Sequence, residues 1–285
     1  MITVFTPTYN RKEKLKRLYK SLLEQEYKDF EWVIVDDGST DNTEEVVKEF
    51  IKEDLIRINY FKQENQGKSL AHNKGVELAK GDYFVGIDSD CFFTRDALAI
   101  VSKYAEKIKD RNDICGLGFL NYKMNTTEFI GTKFPQDEFE ETYYNIYNKY
   151  KITGDKELTF KTSVIAEFPF PKIENEKFVP ESLIFNRISK KYKFLFINKA
   201  IINVDYSDEG YSNNYFELMK KNPRANMLYY KELYEFNNNL YNVAAYDMYG
   251  MYSKYGFINT IKEHPSKIKA LIMYLPAYIK YLQKK

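Results

Sequence analysis

The chain has 285 residues, with 43 basic and 41 acidic side chains and a formal net charge of +2. That length accommodates a catalytic domain with an appendage, and so even a charge balance gives no reason to expect nucleic acid as the main partner. Two cysteines, Cys91 and Cys115, cannot build a disulfide framework, so a reducing cytoplasm is the expected compartment.

The first residues, Met1-Ile2-Thr3-Val4-Phe5-Thr6-Pro7, run straight into a strand pattern, without the basic leader or apolar core of a signal peptide. A strand over residues 2–6 is expected, then a turn at Pro7-Thr8-Tyr9-Asn10, with Asn10 capping a helix over 11–24 whose apolar stripe is Leu15, Leu18, Leu22 and Leu23. A second strand over 31–36 ends in Asp36-Asp37-Gly38-Ser39-Thr40-Asp41. Asp41, three residues before Glu44, gives a cap signature for a helix to about 53. A strand over 56–61, a helix over 67–79 and a strand over 83–87 follow, the last ending in Asp88-Ser89-Asp90. Such alternation with short connections predicts right-handed βαβ units and a mostly parallel sheet.

Beyond the triplet, a helix over 94–109 and a strand over 115–121 are expected, and then the alternation lapses. Residues 126–153 carry no clear pattern, 157–160 reads as a strand, and Phe168-Pro169-Phe170-Pro171 is a break. Pro180 precedes a helix over 181–191, and strands over 194–197 and 200–206 would close the sheet. From about Asn213 the pattern is helical, with Pro223 and Pro265 marking helix starts. The expected organisation is a catalytic domain over 1–210, with a nucleotide-binding half to about 100 and an acceptor-binding half from 101, followed by a helical appendage over 211–285.

Carboxylates at the carboxyl ends of buried parallel strands lie where open α/β sheets bind ligands. Asp41 reads best as a helix cap, whereas Asp37, an acceptor at the mouth of the sheet, suits a nucleotide base N–H. Asn65-Gln66-Gly67-Lys68-Ser69 is not a Walker loop, because Lys62 stands where the early glycine is required. A milder reading has Gly67 admitting a ligand to the backbone, Lys68 offsetting phosphate charge and Asn73 facing the same pocket; a plain capped surface helix is the alternative. For Asp88-Ser89-Asp90 the alternatives are a polar turn and a site for a hard divalent cation, Mn²⁺ or Mg²⁺, holding a diphosphate. His72 and His264 are the only histidines, which leaves no zinc-type cluster. Within Glu176-Lys177-Phe178-Val179-Pro180-Glu181, Glu181 is the candidate general base, against the alternative of a carboxylate serving a helix dipole.

Together, Thr6-Pro7-Thr8-Tyr9-Asn10-Arg11, Asp36 to Asp41, Asn65-x-Gly67-x-Ser69-x-Ala71-x-Asn73-x-Gly75 and Asp88-Ser89-Asp90 resemble the family 2 glycosyltransferases of GT-A fold. The later stretches resemble bacterial members that build capsular and other surface polysaccharides. The resemblance implies a Rossmann-like nucleotide-diphospho-sugar transferase fold in which Thr6, Pro7, Tyr9 and Asp37 hold the base. Asp88 and Ser89 would meet the diphosphate, and Asp88 and especially Asp90 the metal. It further implies an inverting displacement from a nucleotide sugar, UDP-linked, to a saccharide or lipid-linked saccharide acceptor, with Glu181 as base. Members commonly carry Arg where this chain has His72, and a second acid where it has Ser182. Competing readings are a silent sugar-nucleotide or glycan binding module and, less favoured, a nucleotidyltransferase, which would need a glycine-rich basic triphosphate loop near the first strand.

The longest apolar run, 270–279, contains Pro276 and falls short of the roughly 18 residues of a transmembrane helix. From Lys262 to Lys285 there are six Lys against one Glu, with Ile268, Leu271, Ile272, Leu275, Ile279 and Leu282 near helical spacing. The expectation is a helix packed on the catalytic domain or on a dimer partner; the alternative is peripheral contact with the inner face of the cytoplasmic membrane.

Overall fold

The computed structural model describes residues 1–205 and 215–284. The chain begins β1 (Ile2–Thr8), α1 (Lys12–Leu23), β2 (Phe30–Asp36), α2 (Thr43–Glu53), β3 (Arg57–Lys62), α3 (Lys68–Leu78) and β4 (Tyr83–Gly86). The whole of β2 is buried. That is the environment of a strand covered on both faces, and the reason its sequence is apolar without alternation. Leu15, Leu18, Tyr19 and Leu22 bury one face of α1, and Tyr19 stacks on Phe50 of α2 and on Trp32 of β2.

There follow β5 (Phe92–Phe93), α4 (Ala97–Ile108), β6 (Ile114–Lys123), β7 (Glu138–Glu141), α5 (Tyr143–Asn148), β8 (Glu157–Lys161), α6 (Thr162–Ile165), α7 (Glu181–Ser189) and β9 (Lys193–Val204). One nine-stranded sheet runs β3-β2-β1-β4-β8-β6-β9-β5, with β7 also on β9. β1, β2, β3, β4, β6 and β9 run one way, while β5, β7 and β8 run against them. The chain leaves β1 toward β2 on one side and returns through α3 to β4 on the other. The carboxyl ends of β1 and β4 therefore flank a topological switch point, the usual crevice of an open α/β sheet.

Several expectations are corrected. Asn10 does not cap α1: Arg11 holds the cap position without a side-chain cap bond, and Asn10, at φ +52°, turns its amide oxygen to the Thr40 and Asp41 N–H groups. Asp41 does not start α2 directly but accepts the Thr43 N–H two residues on. The two late strands are one strand, β9, which stays paired with β6 across register shifts at Phe119 to Asn121. The pairs that make β5 and β7 are too short to show a period. The expected strand end at Tyr206, the tail start at Asn213 and the 210/211 boundary lie outside the described residues.

The chain divides into two compact units, Met1–Phe170 with Arg187–Tyr206 and Pro171–Asn186 with Ser207–Lys285. Residues 171–186, expected within the acceptor-binding half, therefore group with the tail. The second unit carries α8 (Tyr215–Lys221), α9 (Pro223–Asn237), α10 (Leu240–Tyr252), α11 (Phe257–Glu263) and α12 (Lys267–Gln283). Its core gathers Met219, Met227, Tyr246, Met248, Tyr249 and Ala277. α12 presents Ala270 and Ala277 inward, while the aliphatic stripe expected to pack faces outward. No helix among the described residues is long and apolar enough to cross a membrane.

β8 lies so close to β6 that a Cβ added at Gly116 would come within 2.0 Å of the Thr159 carbonyl oxygen. A backbone atom in a central ladder cannot step aside. Gly116→Ala should therefore cost about 3 kcal/mol, the upper range for overpacking, read from urea unfolding midpoints. A midpoint unchanged from wild type would contradict this packing.

Candidate active site

Three loops meet at the carboxyl ends of β1, β2 and β4. The Asp37 carboxylate, 5% exposed, accepts the Gln66 N–H and Gln63 Nε2–H on Oδ1 at 2.9 and 2.8 Å and the Gly67 N–H on Oδ2 at 2.8 Å. Its neighbour Asp36 accepts from the Ser39 N–H and the Tyr60 hydroxyl, and Asn10 ties the β1 loop to the β2 loop. Asp37 thus fills three of about four acceptor positions with its own chain. Gly67, at φ +95°, sits where a side chain would be strained.

Lys68, the first residue of α3, reaches across to Asp88, its Nζ 2.7 Å from Oδ1 and 2.9 Å from Oδ2. Asp90 is approached by Arg11 and Lys14, each 3.7 Å from Oδ2. Arg17 donates to the Asp90 carbonyl at 2.6 Å and to the Asp205 carboxylate at 3.1 Å, with its guanidinium over the Phe92 ring. Asp88 is about half exposed (48%), Asp90 less so (22%), and Ser89 is buried. Two carboxylates are thereby ringed by cations of α1 and α3, a surface suited to anionic oxygens brought by a ligand.

The remaining expected residues are placed as follows. Thr6 points its hydroxyl into the core, accepting the Trp32 indole N–H at 3.0 Å, whereas Tyr9 is 47% exposed beyond Pro7. Asn73 exchanges both amide groups with the Phe170 backbone, which pins the Phe168-Pro169-Phe170 break to α3. Glu181 opens α7 and is exposed, within the second unit. Glu176, by contrast, accepts the Arg224 and Ala225 N–H groups at the start of α9, the work of a cap. Reading by motif assigned no role to Arg11, Lys14 and Arg17; their spacing of three along the start of α1 was the available signal.

No group of three or more His, Cys, Asp or Glu among the described residues could by itself hold a metal. Asp88 and Asp90 fit a hard divalent ion nonetheless, because Mg²⁺-type sites commonly use one or two carboxylates and take their other oxygens from substrate and water.

The switch-point crevice and its charged rim lie where open α/β sheets bind ligands. The family model for glycosyl transferase family 2 matches residues 3–170, and the chain belongs to that family. It is a glycosyltransferase of GT-A fold. The chain is 26% identical to the putative teichuronic acid biosynthesis glycosyltransferase TuaG of Bacillus subtilis, over 78% of this chain and 85% of that one. It is 29% identical to a GalNAc(5)-diNAcBac-PP-undecaprenol beta-1,3-glucosyltransferase of Campylobacter jejuni, over 70% and 62%. With glycosyltransferase GlyA of Streptococcus pneumoniae identity is 33% over 51% of this chain, but the match spans only 20% of that longer relative. Among solved structures, Staphylococcus aureus TarS 1-349 in complex with UDP-GlcNAc superposes with a TM-score of 0.66 at 17% identity, covering 100% of this chain and 92% of that one. The mannosyltransferase PcManGT of Pyrobaculum calidifontis, in complex with GDP-Man and Mn²⁺, gives 0.59 at 18% identity, covering 100% and 87%.

His72 packs edge-on against Phe5, Phe84 and Phe170 at ring distances of 5.5, 5.3 and 5.1 Å. Burial, and secondarily the Lys68 ammonium, pushes its pKa down to about 3. The folded protein keeps this imidazole neutral where the unfolded chain, titrating near 6.5, takes up a proton. Its contribution is complete above pH 6.5 and is lost as pH falls toward 3, at up to about 1.4 kcal/mol per unit. His72→Leu should therefore gain on wild type by about 2 kcal/mol between pH 7 and pH 5, read from urea midpoints at the two pH values; parallel losses in both proteins would refute the assignment.

Proposed function

We propose that the protein is an inverting transferase that moves a sugar from a UDP-linked donor to a saccharide or lipid-linked saccharide acceptor in surface polysaccharide assembly. The observation that carries the reading is the convergence of Lys68, Arg11 and Lys14 on Asp88 and Asp90 at the switch point. Support for the donor and acceptor classes comes from what the relatives' names and the neighbours' complexes say of those proteins.

In this reading the nucleotide base lies along the loop of Thr6, Pro7 and Tyr9, with Asp37 holding the Gly67 turn in place and offering its remaining acceptor direction. Gly67 admits the ligand to the backbone, and Asn73 positions α3 through Phe170. Asp88 and Asp90 would hold Mn²⁺ or Mg²⁺, which when bound supplies Lewis-acid neutralisation of the diphosphate that Asp88 and Ser89 meet. Lys68, Arg11 and Lys14 stabilise the same charge as it develops. Glu181 takes the proton of the acceptor hydroxyl as its oxygen bonds to the anomeric carbon. The bond from that carbon to the diphosphate oxygen breaks, and its electron pair leaves on the nucleoside diphosphate. A single displacement inverts the anomeric centre and needs no enzyme nucleophile.

Release of nucleoside diphosphate is measured across a panel of sugar nucleotides and acceptors with Mn²⁺. Asp90→Ala and Glu181→Ala should each lower kcat/KM by at least about 100-fold, with the product anomer opposite to the donor's. Full activity in Asp90→Ala removes the metal assignment, and full activity in Glu181→Ala removes the base alone. Tight sugar-nucleotide binding without turnover under every condition would favour the binding-module reading.

A further inference from the structure

An amphipathic helix on a folded unit turns its apolar side inward and a polar side outward; α12 is apolar on its outer side as well. Inward, this 17-residue helix packs the fully buried Ala270 and Ala277 together with the partly buried Met273 and Tyr281. Its outward side carries Ile268, Leu271, Ile272, Leu275, Ile279 and Leu282, which are 52 to 75% exposed. Those positions recur every three or four residues, so they form one unbroken stripe roughly 21 Å long. Ile258 of the preceding helix, α11, is 76% exposed as well. Contiguous apolar surface on this scale marks an interaction site rather than scattered surface leucines.

The charges around the stripe identify what covers it. From Pro265 to Lys285 there is no Asp or Glu, while Lys267, Lys269, Lys280, Lys284 and Lys285 are present. Lys267 and Lys269 lie on opposite flanks of the stripe by helical spacing, with the Lys269 ammonium donating to the Asn238 amide oxygen at 2.6 Å at the edge of the unit. Lys280 and Lys284 lie over the Tyr241 and Phe216 rings of the same unit, so positive charge continues from the flanks toward the body of the unit. A second copy of the chain is the poorer occupant: two-fold pairing of α12 on itself would bring lysine flanks together with no acid on the helix to answer them. A helix of this length with Pro276 inside it is also no membrane span.

We infer that α12 is an in-plane membrane anchor, which lays its aliphatic stripe into the interface of an anionic bilayer with the flanking lysines at the phosphate level. Apolar insertion and attraction to anionic headgroups act together in such helices. The inference is independent of the donor and base assignments, since it requires only a folded chain and lipid.

The test is co-sedimentation of the full chain with phosphatidylglycerol-containing vesicles and with pure phosphatidylcholine vesicles, at low and high salt. Wild type should bind the anionic vesicles at least tenfold more tightly than the neutral ones, and more weakly at high salt. The variant Leu271→Ser/Leu275→Ser/Ile279→Ser should lose at least tenfold in binding while keeping its melting temperature, because all three side chains point outward. Lys267→Glu should weaken anionic binding alone. If the triple variant misfolds, Leu271→Trp supplies a second readout: its new indole emission should shift to the blue on adding anionic vesicles. Wild type remaining in the supernatant, a triple variant that binds like wild type, or no shift in Leu271→Trp would each overturn the inference. A wild-type dimer that the triple variant converts to monomer, with no vesicle binding by either, would overturn it in favour of a second copy. Nucleoside diphosphate release onto a soluble acceptor, assayed without vesicles, should be unchanged in the triple variant, so a failed anchor and a failed transferase reading are told apart.

Discussion

The hydrogen bonds of the Asp37 carboxylate are the constraint on which the arrangement at the sheet edge depends. Where parallel strands stop, the chain must turn into helices, and several backbone N–H groups lose their ladder partners at once. Asp37 accepts the N–H groups of Gln66 and Gly67 and thereby fixes where α3 begins. Because α3 begins there, Lys68 lies within 3 Å of Asp88, on the far side of β1. Asn10 does the equivalent for the β1 loop by accepting the Thr40 and Asp41 N–H groups. A buried carboxylate paired with neutral donors is costly to desolvate and costlier to leave unpaired, so the loop geometry is enforced rather than merely allowed.

Electrostatics then decides what such a rim accepts. Asp88 and Asp90, one residue apart, repel when both are ionised. Lys68 on one and Arg11 with Lys14 near the other lower that cost. These pairs are partly exposed and would contribute little to stability. Their consequence is local: cations stand beside both carboxylates, ready for an anionic ligand. Arg17 does different work, joining the Asp90 carbonyl to Asp205 and so tying the triplet to the chain just after β9.

How much of this was legible in the residues follows from how local each signal is. The first half of the sheet was readable because buried strands such as Trp32 to Val35 are continuous apolar runs ending in acids, and because α1 and α2 each have their own stripe. The β7 pairing was not, since Glu138 to Glu141 alternates charge with a single Phe and gains strand geometry only from pairing with β9. The unity of β9 was hidden by Asn198 and Lys199, which read as a turn; yet Asn198 accepts the Phe134 N–H, holding an irregular stretch inside one strand. Among site residues, motif spacing led to Asp37, Gly67, Lys68, Asp88 and Asp90. It could not show that Asn73 and Thr6 spend their polar groups on Phe170 and Trp32, because those bonds join positions far apart in sequence.

The same distinction bears on position 72 and on the two late glutamates. A cation is common at position 72 in the family that the motifs resemble, but here the ring lies among Phe5, Phe84 and Phe170 and remains neutral. The positive charge near the triplet comes instead from α1 and from Lys68, so the departure at His72 does not leave the rim without cations. Between Glu176 and Glu181, five residues apart, the sequence favours Glu181 only through its place after a break at the start of a helix. Glu176 is already occupied in satisfying the two backbone donors that open α9, and moving it would expose both. Glu181 is an exposed first-turn residue of α7. Of the two carboxylates, Glu176 is thus committed to the start of α9, which is why the proposed reaction assigns the base to Glu181.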